Sequence, residues 1–194
     1  MAIRCLVVDA HPLFRQGLRR VLENDAGLEV VSEAQDAPEA IERARELRPN
    51  VVLMDIGLLS SFEAARQITR EFPGRRVIFL TSYEEEEYLM QCSEAGASGY
   101  ILKDAPAPNL LGAIHDVSAG RKYFSPQVLG KLVDDFRSRS ASGMARGSSL
   151  TPREREVVKM LREGHTHMEI AERLGLHPKA IQRLVRKLWE RLKP

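Results

Sequence analysis

A doubly wound (βα)5 parallel-sheet domain followed by a small all-α domain is the fold class this α/β sequence predicts, and three features predict it. Strand-like and helix-like segments alternate from residue 1 to about residue 124. Several strand-like segments are continuously apolar rather than alternating, as expected of parallel strands covered on both faces. Beyond a small, polar, Gly-containing stretch, residues 150–194 carry helical periodicity alone, punctuated by Gly164 and Gly175.

Taken in order, the apolar run Ile3–Val8 predicts the first strand and ends on Asp9. An amphipathic segment, Pro12–Glu23, predicts the first helix, with Pro at its first position. The pattern repeats as strand Leu28–Ala34 and helix Ala37–Leu47. The third strand, Val51–Met54, delivers Asp55 to the C-terminal edge of the sheet, where open α/β folds collect ligands. Helix Phe62–Phe72 and strand Arg76–Leu80 follow. The next helix, Glu84–Ala95, opens on the run Glu84–Glu87. Acids at that end favour the helix dipole, so the run reads as capping and solvation rather than as a metal site. Strand Gly99–Leu102 and helix Pro106–Ala119 complete the domain.

A further helix, Pro126–Phe136, leads into residues 137–149, which cannot build a core and read as a flexible linker. The predicted organisation is therefore a domain over 1–124, a connecting helix and linker over 125–149, and a helical domain over 150–194. In the last, Thr151 is an N-cap, Pro152 the first helical residue and Glu154 the third, a capping box. Helices are expected over Pro152–Glu163 and His167–Leu174, with a third from Pro178 to about Leu192. A short helix, a Gly-containing turn and another helix form a helix-turn-helix.

At 194 residues the chain can bury two small cores. No apolar run approaches a membrane span and no signal-peptide pattern opens the chain, which argues for the cytoplasm and against a membrane partner. Cys5 and Cys92 have neither a CxxC partner nor a nearby His and read as buried thiols. The net charge of +2 hides a split. Residues 1–133 carry 15 Lys and Arg against 19 Asp and Glu, whereas residues 150–194 carry 11 against 6. A basic helical module on an acidic domain points to a polyanion partner.

The third predicted helix specifies which polyanion. Ala180, Ile181, Leu184, Val185 and Leu188 form its apolar face, while Lys179, Gln182, Arg183, Arg186 and Lys187 lie outside it. Arg suits guanine O6 and N7, and Gln suits adenine N6 and N7, so double-stranded DNA is the expected partner. Leu150-Thr151-Pro152-Arg153-Glu154-Arg155-Glu156-Val157, together with Glu169-Ile170-Ala171-Glu172-Arg173-Leu174, resembles the LuxR-type helix-turn-helix of NarL/FixJ-type response regulators. The resemblance implies that Gln182, Arg183 and Arg186 meet the major groove of promoter DNA and that Thr166, His177 and Lys179 meet phosphates. Relatives usually continue into a fourth helix that pairs two modules, whereas this sequence runs to Pro194. Any homodimer is thus expected through the N-terminal domain or the connecting helix, and Trp189 is expected to pack on the first helix of the module.

The N-terminal segment is similar to the receiver domain of the same family, a flavodoxin-like fold. Asp9-Ala10-His11-Pro12-Leu13-Phe14-Arg15, Val51–Ile56 and Gly96-Ala97-Ser98-Gly99-Tyr100-Ile101-Leu102-Lys103-Asp104 carry the likeness. In that family an Asp accepts a phosphoryl group from a histidine kinase, with Mg2+ held by an acid pair. The resemblance places the acceptor at Asp55, the hydroxyl at Thr81, the phosphate-binding cation at Lys103 and one acid at Asp9. The other acid position holds Ala10, which offers no ligand. Mg2+ is then held weakly, by Asp9 and Asp55 if at all, and no cofactor is required. The segment Gly57–Ser61 is about two residues shorter than the family turn, and Leu58 and Leu59 are expected to make the pocket drier and more closed. Tyr100, Tyr83 and Tyr88 lie in or beside the face through which receivers signal, Tyr100 reading either as a rotameric switch or as packing. The resulting expectation is a non-enzymatic DNA-binding regulator whose receiver works without conventional phosphorylation. A conventional two-component regulator with weakened Mg2+ affinity, and an interaction module that sequesters other regulators, stand as alternatives.

Overall fold

Parallel pairing of the apolar segments builds the N-terminal unit. A computed structural model describes residues 2–82, 86–124, 151–162, 165, 167–177, 180, 181, 183–185 and 187. The helix expected over 126–136, the linker, the fourth-helix question and Trp189 lie outside the described residues. The chain divides into two compact units, Met1–Tyr123 and Phe124–Pro194.

In the first unit the elements run β1 (Ile3–Val8), α1 (Pro12–Glu23), β2 (Leu28–Ala34), α2 (Ala37–Leu47), β3 (Val51–Asp55), α3 (Ser61–Glu71), β4 (Arg76–Thr81), α4 (Glu86–Glu94), β5 (Gly99–Leu102), α5 (Ala107–Ser118) and β6 (Tyr123–Phe124). The sheet order is β2-β1-β3-β4-β5-β6. The pairings of β1 with β2 and β3, of β3 with β4 and of β4 with β5 are all parallel. The short β6 carries too few residues to show a period. It docks on β5 where the Tyr123 N–H donates to the Ser98 carbonyl at 3.0 Å.

Two apolar layers sandwich the sheet. On one face Cys5, Val7, Leu53, Ile78 and Ile101 pack with Leu18 and Leu22 of α1 and with Leu110, Ala113, Ile114 and Val117 of α5. Alternation along the strands sends Leu6, Val8, Met54, Phe79 and Tyr100 to the other face, all of them fully buried. There Phe62 of α3 meets Phe79 at a ring-centroid distance of 5.2 Å.

Local chemistry sets the helix ends. Asp36 caps α2 by accepting the Glu39 N–H at 2.9 Å, while Glu39 accepts the Gln35 N–H at 3.0 Å. The N-cap of α3 is Ser60, in the left-handed region with φ 61°. This reversal starts α3 one residue earlier than its periodicity implies, at Ser61, whose hydroxyl donates to the Ile56 carbonyl at 2.9 Å.

In the second unit, α6 (Pro152–Arg162) and α7 (His167–Arg173) form around Val157, Val158, Ile170, Ala171, Ile181 and Val185, all buried. The capping box is made: the Glu154 N–H donates to the Thr151 hydroxyl at 3.2 Å and the Thr151 N–H to the Glu154 carboxylate at 2.7 Å. Gly175 takes φ +60°, a conformation that favours glycine, and ends α7. The Leu176 and Gly175 N–H groups donate back to Ala171 and Glu172, a Schellman turn. Among the described residues no helix is long and apolar enough to cross a membrane.

Both cysteines are buried, as their sequence context implied. Burial pushes the Cys5 thiol up to about 12 and raises that of Cys92 too. At about pH 8 neither should react with a thiol-specific disulfide reagent in the folded protein, and both should react in denaturant. Rapid native labelling of Cys5 would contradict its position in β1.

Candidate functional site

Four strands end together, and their register assembles the pocket. Val8 stands opposite Met54, Asp55 opposite Leu80, and Thr81 opposite Leu102. Asp9 is the first residue past β1, Asp55 the last of β3, Thr81 the last of β4 and Lys103 the first past β5. Four residues far apart in sequence thus reach one edge without any specialised loop.

Asp9 is fully buried and Asp55 nearly so. The Lys103 ammonium lies between them, 2.6 Å from Asp9 Oδ2 and 3.0 Å from Asp55 Oδ1. It also sits 4.5 Å from the centre of the Phe14 ring, a cation–π contact. The Lys103 backbone N–H donates to the Thr81 carbonyl at 2.7 Å, which fixes where the side chain starts. Thr81 itself is fully buried. The Gly57 N–H donates to Asp55 Oδ1 at 3.2 Å.

His11 was not singled out by its sequence context, yet it completes the cluster. Its backbone N–H donates to Asp9 Oδ1 at 2.7 Å, a tight turn that folds the side chain back. Nδ1 then lies 3.0 Å from the same oxygen. One ligand atom each from Asp9, His11 and Asp55 falls within a span of 4.8 Å. The signal that could have found it is a His two residues after a strand-end Asp. Ala10 is exposed and supplies nothing.

The expected closure by Leu58 and Leu59 is corrected. Leu58 is buried, but Leu59 is 91% exposed. Of the two successive leucines only Leu58 is buried, and the chain then reverses at the left-handed Ser60. Tyr100 is fully buried beside Phe79 in the strand register, and Tyr88 is half-buried on α4. Tyr83 lies outside the described residues.

On the helical unit, residues 180, 181, 183–185 and 187 are helical. Ile181 and Val185 are buried while Arg183 and Lys187 are exposed, so the inward and outward faces fall where the spacing placed them. His177 is also exposed. Gln182, Arg186, Lys179 and Thr166 lie outside the described residues.

Residues 5–115 match the family described as response regulator receiver domain, and residues 148–193 match bacterial regulatory proteins, luxR family. The chain is 36% identical over 192 residues to the response regulator GacA of Pseudomonas protegens, covering 98% of this chain and 89% of that protein. It is 34% identical over 192 residues to the transcriptional regulatory protein LiaR of Bacillus subtilis, covering 98% and 90%. A crystal structure of a LuxR-family two-component response regulator from Aurantimonas is similar at 35% identity and a TM-score of 0.66, covering 70% of this chain and 98% of that one.

The two pocket carboxylates depend on the Lys103 ammonium. Lys103→Met keeps most of the stem and removes the charge, and should cost about 1–3 kcal/mol in urea unfolding. Adding Asp55→Asn should recover part of that loss. Equal stability of Lys103→Met and the parent protein would show that the carboxylates need no cation.

Proposed function

The chain belongs to the response regulators that join a receiver domain to a LuxR-family DNA-binding domain, and from that premise we propose that it regulates transcription without conventional Mg2+-dependent phosphorylation. The observation that carries the reading is the donor set around Asp55. Mg2+ demands a near-octahedral oxygen shell. Ala10 contributes no oxygen, Asp9 is engaged by Lys103 and His11, and Asp55 Oδ1 by Lys103 and Gly57. These residues do not fit Mg2+ as the family uses it.

In this reading residues 1–124 are the regulatory part, 125–149 the connection and 150–194 the DNA-binding part. Gln182, Arg183 and Arg186 read base edges, while Lys179, Thr166 and His177 hold phosphates. The exposure of Arg183 and His177 supports this assignment. A homodimer through the receiver or the connecting segment presents two modules to a two-fold promoter site.

A second reading, favoured by Asp55, Thr81 and Lys103 meeting at one sheet edge, is a conventional regulator phosphorylated at Asp55 by a histidine kinase, with weakened Mg2+ affinity. Incubation with a small phosphodonor and Mg2+, followed by intact mass, separates the two. We expect only traces of label, and stoichiometric labelling at Asp55 establishes the second reading.

For promoter DNA, Arg183→Ala or Arg186→Ala should each cost about 1–3 kcal/mol in binding. Asp55→Ala should change it little. Equal losses from all three would overturn the proposal.

A further inference from the structure

The sheet edge that gathers the charged cluster also borders an apolar cavity that the proposed regulation does not use. It has a volume of about 340 Å3 and is lined by residues of α1, β4, β5 and α5. We propose that this cavity binds one small, uncharged, apolar molecule as a ligand input to the receiver. The inference goes beyond the transcriptional reading and holds whether or not Asp55 is phosphorylated.

Depth is the first support. Leu18 of α1, Leu80 of β4, Ile101 of β5 and Leu110 of α5 line the cavity, and all four are buried. Its floor is thus the core of the domain rather than the surface. Cavities of roughly 300–1,000 Å3 are the size that takes small molecules. An α-helix, about 10 Å across with its side chains, is too wide to enter this one whole.

The rim is the second. Leu13, Gly17 and Val21 recur every four residues on α1 and form one stripe along the cavity. Glycine weakens the interior of a helix, and a side-chain carbon placed at Gly17 would meet nothing within 4 Å. A larger apolar residue would continue the stripe and strengthen α1, so the glycine keeps a space open at the expense of its helix. Leu13, one turn away, is 84% exposed, an apolar side chain left at the mouth.

Charge then selects the ligand. Lys103 is the one charged side chain among the described residues of the lining, and its ammonium is shared between Asp9 at 2.6 Å and Asp55 at 3.0 Å. Two carboxylates against one ammonium leave no net positive charge for an anion. A cation would meet Lys103 and an apolar lining that holds no acid to pair with it. An uncharged ring system packs instead beside Phe14, whose ring already lies 4.5 Å from the ammonium. Such a ligand rests against the side chain that neutralises the Asp55 pocket.

The test titrates the full-length protein with prodan, an uncharged naphthalene fluorophore, and with anilinonaphthalene sulfonate, an anionic one. Prodan should bind saturably at one site per chain with blue-shifted emission, at least about tenfold more tightly than the sulfonate. Gly17→Leu fills the space and should weaken prodan by at least about tenfold, while unfolding at or above the parent midpoint. Gly17→Ala adds a single carbon, should weaken prodan about threefold, and guards against a leucine that disturbs the fold. Prodan binding indifferent to both substitutions overturns the inference, as does tighter binding of the sulfonate. Absence of saturable binding overturns it too, and leaves this face to a partner helix.

Discussion

Two carboxylates delivered by neighbouring strand ends need a cation between them, and in this protein Lys103 supplies it. Charges no more than 4.8 Å apart repel by at least roughly 3 kcal/mol at an effective dielectric near 20. Attraction to an ammonium at 2.6 and 3.0 Å is roughly 6 kcal/mol gross for each carboxylate on the same scale, part of it taken back by desolvation. The pocket is therefore neutralised from within. Any external cation is not filling a void but exchanging with a lysine, and its affinity is reduced by whatever the lysine contributed.

Everything that positions this cluster follows from the sheet. Because the central strands are parallel, their C-terminal ends share one edge, and the register brings Asp9, Asp55, Thr81 and Lys103 there in step. The strand-end places of Asp9 and Asp55 were legible in the apolar runs that precede them, whereas Thr81 and Lys103 were implied by the family resemblance alone. The capping box at Thr151 and the inward face at Ile181 and Val185 were equally legible, because they depend on contacts three or four residues apart.

The unread parts share another cause: they depend on single backbone torsions or on contacts remote in sequence. Ser60 at φ 61° reverses the chain just after the exposed Leu59, and no periodicity reports either feature. The two residues of β6 are placed by a bond from Tyr123 to Ser98, 25 positions away. His11 reads as a helix-flanking residue until its own N–H bond to Asp9 turns it back toward the pocket. Likewise, nothing in the sequence says that Lys103 takes both carboxylates rather than one.

How occupancy of the pocket reaches the α4–β5–α5 face is constrained by Tyr100. Its side chain is fully buried beside Phe79, and swinging it outward would expose on the order of 150–250 Å2. At about 25 cal/mol per Å2 that is roughly 4–6 kcal/mol, more than the 1–3 kcal/mol typical of coupling between sites. A ring flip would thus be a costly reporter, and in this structure Tyr100 is packed in the core. Lys103 offers a cheaper route. Its side chain holds both carboxylates while its N–H is bonded to the Thr81 carbonyl at 2.7 Å, so one residue belongs both to the charged pocket and to the joined ends of β4 and β5.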